Sequence, residues 1–415
     1  MKKILLFILF IINQLGVGYS QETPYKNIAY SFVNQNADTL HFFGSSQTDF
    51  NNICKNLNQL ILNGIGNLRL IHIGDSHIQA DFFSGSIREH LQSFALGIKG
   101  GRGFIFPYNV ASTNNPDNYK VKYTGKWQHC RNIQNLNGCE LGIAGISVST
   151  IDSNASIQII LNNKKYPHQD FNKVKIFHNL GDTVFQVKLI ENQIIDGTYN
   201  PLGYTSFTTK NHFDTLNLFF QKADSLQKNF TLYGIELDND DPGVICSAVG
   251  INGAEISSFL KCNLLEAQLK ILNPEWIIIS LGTNDAYSKN FDKNSFENHY
   301  NQLIERIKHT LPNSFVLLTT PADSYRRKCF PNPDMIVAKQ VIMDLANRNN
   351  CAVWDLHEVM GGYMSMKKWQ IAGLAAGDKV HFSKAGYELQ GDLLFNAFLK
   401  AYDSFIDNTY VVKHK

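Results

Sequence analysis

The chain carries no strong charge of one sign. Its 38 Lys and Arg against 36 Asp and Glu leave a net charge of +2, and no basic stripe is interleaved with aromatics. A polyelectrolyte partner, nucleic acid in particular, is therefore not expected. Beyond the first dozen residues no apolar run is long enough to span a bilayer. No Cys-x-x-Cys or Cys/His spacing of the zinc type is present, so no metal site is expected. Internal repeats and low-complexity linkers are absent, which argues against a solenoid. What remains is an ordinary globular composition, 44% apolar over 415 residues, enough for more than one domain.

The amino terminus reads as a secretory signal over residues 1–20. Lys2 and Lys3 precede a short apolar run, and Gly18-Tyr19-Ser20 supplies the small residues that a signal peptidase reads. The mature chain then starts at Gln21, is exported to the periplasm or secreted, and keeps no membrane span. No cysteine follows the apolar run, so a lipid anchor is not indicated. Export permits disulfides among the seven cysteines. Cys130 and Cys139 close a short loop and form the best local pair; Cys246 and Cys262 come next. The odd count leaves at least one free thiol.

Two textures divide the mature chain. Residues 21–107 and 239–415 alternate short apolar runs with amphipathic stretches. The runs at 68–73, 244–249, 276–281, 315–319 and 352–356 read as five buried parallel strands. The stretches at 49–62, 82–94, 254–272, 295–310, 333–349 and 384–402 read as helices on a doubly wound sheet. A glycine-rich segment, 97–103, is expected to leave the second of these helices and run close to the site. Residues 108–238 instead show short alternating runs at 119–123, 143–151, 156–161, 173–178, 183–190, 215–220 and 229–237, separated by Asn, Asp and Gly turns. That pattern is an all-β sandwich, jelly-roll-like, inserted into the α/β part.

The chemistry centres on Gly74-Asp75-Ser76-His77, a sharp break between the first strand and a helix. That geometry presents a serine hydroxyl at the carboxyl end of a strand, where free N–H groups favour negative charge. Three stretches can converge on Ser76. Gly253 follows the second strand, where its N–H can approach an oxyanion. Asn284, in Gly282-Thr283-Asn284-Asp285, follows the third strand and can donate a side-chain amide. Asp378-Lys379-Val380-His381 precedes the last helix; a histidine there can take the serine proton, with a carboxylate fixing its tautomer. Each stretch alone also has a plain structural reading: a serine N-cap, a turn glycine, a turn asparagine, and a surface Asp beside a helix-capping His. His357 and His77 compete as bases, and His72 reads as packed within its strand.

Together the four blocks Gly74-Asp75-Ser76, Gly253, Gly282-Thr283-Asn284-Asp285 and Asp378-x-x-His381 resemble those of the SGNH (GDSL-type) hydrolase superfamily, in the same order. The leucine usual after the serine is His77 here. With Asp81 shortly after, the first block resembles the exported peptidoglycan O-acetylesterases, which carry a carbohydrate-binding-module-like β-sandwich between the first and second blocks. The resemblance implies a flavodoxin-like three-layer α/β/α fold with that insert. It implies Ser76 as nucleophile, His381 as base and Asp378 as its orienting acid. The oxyanion hole is then the Ser76 N–H, the Gly253 N–H and the Asn284 amide, and no cofactor is needed. The expected substrate is an O-acetylated polysaccharide, peptidoglycan favoured and xylan the rival. A lipid ester is disfavoured, since no amphipathic lid stretch is seen. Tyr363 and Trp369 are candidates for a sugar-stacking wall, with ordinary loop packing as the other reading. Non-catalytic glycan binding by the insert and acyl transfer to a sugar are the readings from other classes.

Overall fold

The computed structural model describes residues 24–134, 138–191 and 193–411; the signal-type segment 1–20 lies outside them. The central sheet has six strands: β1 (Leu40–Phe42), β2 (Asn67–Gly74), β3 (Gly243–Gly250), β4 (Trp276–Ser280), β5 (Phe315–Thr319) and β6 (Ala352–Trp354). Their order is β1-β6-β5-β4-β2-β3. The five parallel strands thus run in the flavodoxin order, and β1 adds an antiparallel edge to β6, with Leu40 opposite Trp354. That sixth strand was not foreseen, because three residues are too few to show a periodicity.

Alternation along each strand explains the three layers. Leu68, Leu70, Trp276, Ile278, Phe315 and Leu317 share one apolar cluster with Leu57 and Phe398. These last two come from α1 (Ser46–Asn63) and α9 (Lys384–Ile406). Ile71, Ile73, Ile277, Ile279, Val316 and Leu318 belong to the other cluster. On that face pack α5 (Leu265–Leu272), α7 (Lys293–Thr310) and α8 (Asp334–Asn349). Successive side chains point to opposite faces, so every apolar residue of such a strand is buried on one side or the other.

The helix expected over 254–272 is broken. It forms α4 (Ile256–Leu260) and α5, with Cys262 and Asn263 between them. The insert occupies the break: Leu141 donates its N–H to Asn263 Oδ1 at 2.9 Å and accepts from Leu264 at 3.0 Å. Tertiary hydrogen bonds here outweigh the continuous helical pattern. The expected Cys246–Cys262 pair is not made. Both are buried free thiols, in clusters on opposite faces of the sheet. Cys130 and Cys139 are bonded.

Two antiparallel sheets, of five and seven strands, lie between β2 and β3 in sequence. Phe220 of one meets Phe230 of the other with ring centroids 4.5 Å apart. The larger sheet starts at Gly103–Ile105, which pairs with the last strand of the block, Gly103 opposite Leu237. The strand Tyr204–Phe213 was missed because its sequence, YTSFTTKNHF, is mostly polar and partly exposed. The glycine-rich segment starts away from the site and reaches the helix after Ser76 only at Arg102, which bonds Asp81 at 2.7 Å. Lys99 bridges Val244 at the amino end of β3, away from Ser76. No helix among the described residues is long and apolar enough to cross a membrane.

Candidate active site

Ser76 opens α2 (Ser76–Gln79), a single turn directly after β2. Asp75 caps it, its Oδ1 accepting the His77 N–H at 2.9 Å. The turn is tight: a Cβ on Gly74 would sit 2.2 Å from Ile78 Cγ1 and 2.8 Å from the Ser280 carbonyl. Any larger residue would push β2 from β4 or unwind α2. The neighbouring strands β3 and β4 lie on either side of β2, so the loops after all three meet at the topological switch point of the sheet.

Asp378 and His381 arrive from the other end of the chain. Asp378 Oδ1 accepts the N–H groups of Val380 and His381 at 2.9 and 3.0 Å, which fixes the local turn. Its Oδ2 lies 2.7 Å from His381 Nδ1. His381 Nε2 lies 3.0 Å from Ser76 Oγ across 305 residues of sequence. With Nδ1–H donating to the carboxylate, Nε2 is left to accept the serine proton. Partial burial would raise the Asp378 carboxyl. The bonds from the His381 ring and the two N–H groups outweigh it, and hold the carboxyl below its ordinary range.

The structure brings Gly253 and Asn284 to the same place. Gly253 has φ +81° and an exposed backbone, and a Cβ there would meet nothing within 4 Å. The Asn284 amide donates to the Ala254 carbonyl at 2.9 Å and to Asp75 Oδ2 at 3.2 Å. It is thereby tied to both flanking loops. Asp75 is 1% exposed, and burial pushes its carboxyl up to about 7. Asp285 accepts the Ile256 N–H at 3.2 Å, which binds the loop after β4 to the helix after Gly253.

Among the described residues only His381 bonds the Ser76 hydroxyl; the competing histidines are engaged elsewhere. His77 Nδ1 meets the Tyr387 hydroxyl at 2.9 Å, and its Nε2 is buried without a partner among the described residues. Burial and the neighbouring His381 push its pKa down to about 3, which keeps it neutral. His357 is also held down, chiefly by burial, and its N–H is bound by Thr320. His72 is packed as expected, between the hydroxyls of Ser280 and Ser84 at 2.7 and 2.9 Å. Trp369 is no sugar wall: it is fully buried, donates to the Met360 carbonyl and packs on Phe382. Tyr363 is 44% exposed.

Several residues were not singled out from sequence. Asp81 was noted, but not its partners. It accepts from Arg88 Nη2 at 2.7 and 2.8 Å, from Arg102 at 2.7 Å and from Asn118 at 2.6 Å. Burial opposes its ionisation, but the two guanidiniums outweigh that and hold the carboxyl low. This joins the helix after Ser76, the glycine-rich segment and the insert. A cavity of about 280 Å³ beside this cluster is lined by neither Ser76 nor His381. Gln79, Asn252, Thr113 and Asn114 form a second junction between site and insert. Only the motif spacing of Asp81 gave any signal, because the other partners are remote in sequence.

Residues 222–389 match the model of the GDSL-like Lipase/Acylhydrolase family. That range holds Gly253, Asn284, Asp378 and His381; Ser76 lies before it, beyond the insert. The fold is similar to that of a peptidoglycan O-acetylesterase, with TM-score 0.72 and 24% identity over 88% of this chain and 99% of that one. A lesser likeness is to Axe2, an acetylxylan esterase from Geobacillus stearothermophilus, with TM-score 0.28 and 21% identity over 39% of this chain and 73% of that one. No curated protein matches the sequence. The strand order and the ordered blocks agree with the likeness to the GDSL-like Lipase/Acylhydrolase family, which the family model carries over residues 222–389.

Proposed function

We propose that the protein is a serine esterase that removes O-acetyl groups from a cell-wall carbohydrate, with peptidoglycan as the substrate. The observation that carries the reading is the unbroken relay from Ser76 Oγ to His381 Nε2 at 3.0 Å and from His381 Nδ1 to Asp378 at 2.7 Å, opening beside Gly253. Ser76 attacks the acetyl carbonyl while His381 takes its proton. The oxyanion forms against the N–H groups of Ser76 and Gly253, with the Asn284 amide as third donor once it turns from Asp75. His381 then protonates the leaving sugar oxygen. Water, deprotonated by the same ring, attacks the acetyl-enzyme, and acetate leaves with Ser76 restored. The choice of peptidoglycan is supported by the signal-type amino terminus, which implies export, and by the fold shared with a peptidoglycan O-acetylesterase.

The test is acetate release from O-acetylated peptidoglycan and from acetylated xylan, with Ser76→Ala and His381→Ala as controls. Serine-dependent release from peptidoglycan alone is expected. Release mainly from xylan would keep the chemistry and overturn the substrate. No release from either, nor from a chromogenic acetate ester, would overturn the esterase.

A further inference from the structure

Gln79 ends the turn that Ser76 begins, and it is 1% exposed. Its amide is used at both ends. Oε1 accepts the Asn252 N–H at 2.7 Å. Nε2 donates to Thr113 Oγ1 at 3.0 Å and to the Asn114 carbonyl at 2.9 Å. Asn252 closes the ring from its own side chain, donating to Asn114 Oδ1 at 2.7 Å and to Thr113 Oγ1 at 3.2 Å. Asn252 immediately precedes Gly253, whose N–H finds no partner among the described residues. The peptide carrying that N–H therefore begins at a residue held by three bonds. Two of the four residues in the ring, Thr113 and Asn114, come from the block between β2 and β3.

We propose that Gln79 is a positioning residue that aims the Gly253 N–H at the developing oxyanion, and that the insert completes the esterase site through Thr113 and Asn114. This rests on the esterase reading above. The Gly253 Cβ position meets nothing within 4 Å; the Ala254 side of the segment is held by the Ile251 carbonyl and the Asn284 amide, and the clamp holds its Asn252 side. A donor misplaced by an ångström forfeits much of its effect on the transition state.

The experiment compares wild type with Gln79→Leu, Asn252→Ala and the solvent-exposed Asn114→Ala. A chromogenic acetate ester gives kcat and KM. Phenylboronic acid, which forms a tetrahedral adduct with a reactive serine, reports oxyanion binding. Amide hydrogen exchange is read over residues 251–254. Gln79→Leu is expected to lower kcat about 10- to 100-fold with KM nearly unchanged. It should weaken phenylboronic acid by a similar factor and speed exchange in that segment. Asn252→Ala and Asn114→Ala should follow in that order with smaller effects, and Asn114→Ala guards against a fold defect in the buried variant. Unchanged exchange in all three variants would overturn the clamp whatever their activity. Faster exchange with unchanged kcat and inhibitor affinity would overturn its role in the reaction. A wild type inert towards the ester would instead sink the esterase reading, and the exchange data would still decide the clamp.

Discussion

The two halves of the site are held in opposite ways. The Ser76 half is buried in the sheet: Asp75 is 1% exposed, Gly74 admits no side chain, and Asp81 lies beneath between two guanidiniums. The Asp378–His381 half sits on a loop, with those side chains still 42% and 43% exposed and fixed by bonds within four residues. One half draws its geometry from the global fold and the other from local hydrogen bonds. Changes to the buried supports of the first should therefore appear in stability, and changes to the second in rate.

The comparison breaks most directly at the bonds that join the halves. Ser76→Ala should lower kcat on a chromogenic acetate ester by about 10⁴-fold or more with the melting temperature unchanged within a few degrees. Asp378→Asn should cost roughly 10²- to 10⁴-fold, because the wrong tautomer of His381 is then favoured, and should cost less than 1 kcal/mol of stability. Both values come from steady-state kinetics and thermal melts on the same samples. If Asp378→Asn unfolded the protein, the loop would not be the locally held half.

The buried half should answer in the other currency. Asp81→Asn strands Arg88 and Arg102 and is expected to cost about 3–5 kcal/mol in denaturant unfolding. Asp75 sharpens the contrast through pH. Its folded pKa, about 7, lies above the unfolded carboxylate value, so its contribution is fully present in acid and is lost as pH rises towards 7. Asp75→Asn should therefore gain stability relative to wild type between pH 4 and 7, by ~2–4 kcal/mol. Asp378 has the opposite sign. Its folded pKa is lowered, so the small stability it adds is present at neutral pH and fades in acid; urea midpoints across the range would show it.

How legible each feature was follows from how local its cause is. The five parallel strands, their helices and the four blocks could be read because strand, turn and helix each carry a short-range pattern. The shortness of β1 and the polar sequence of the strand Tyr204–Phe213 hide them from periodicity. The fate of Cys246 and Cys262 depends on which face of the sheet each occupies, which spacing does not encode. The Trp369 indole looked like a candidate wall and is core, because Met360 and Phe382 close over it. The Asp81 and Gln79 junctions pair residues from the two textures, so neither texture alone announces them.

The pairing of Gly103 with Leu237 bears on how the chain finds its fold. Strands β2 and β3 must align side by side although Asn67 and Gly243 are 176 residues apart. If the sandwich forms first, that pairing holds its two ends together and cuts the effective loop to roughly 40 residues, easing closure by about 1 kcal/mol. The sandwich that interrupts the α/β part then acts as the splint on which the broken sheet is set, and refolding should show it reaching native protection before the parallel strands.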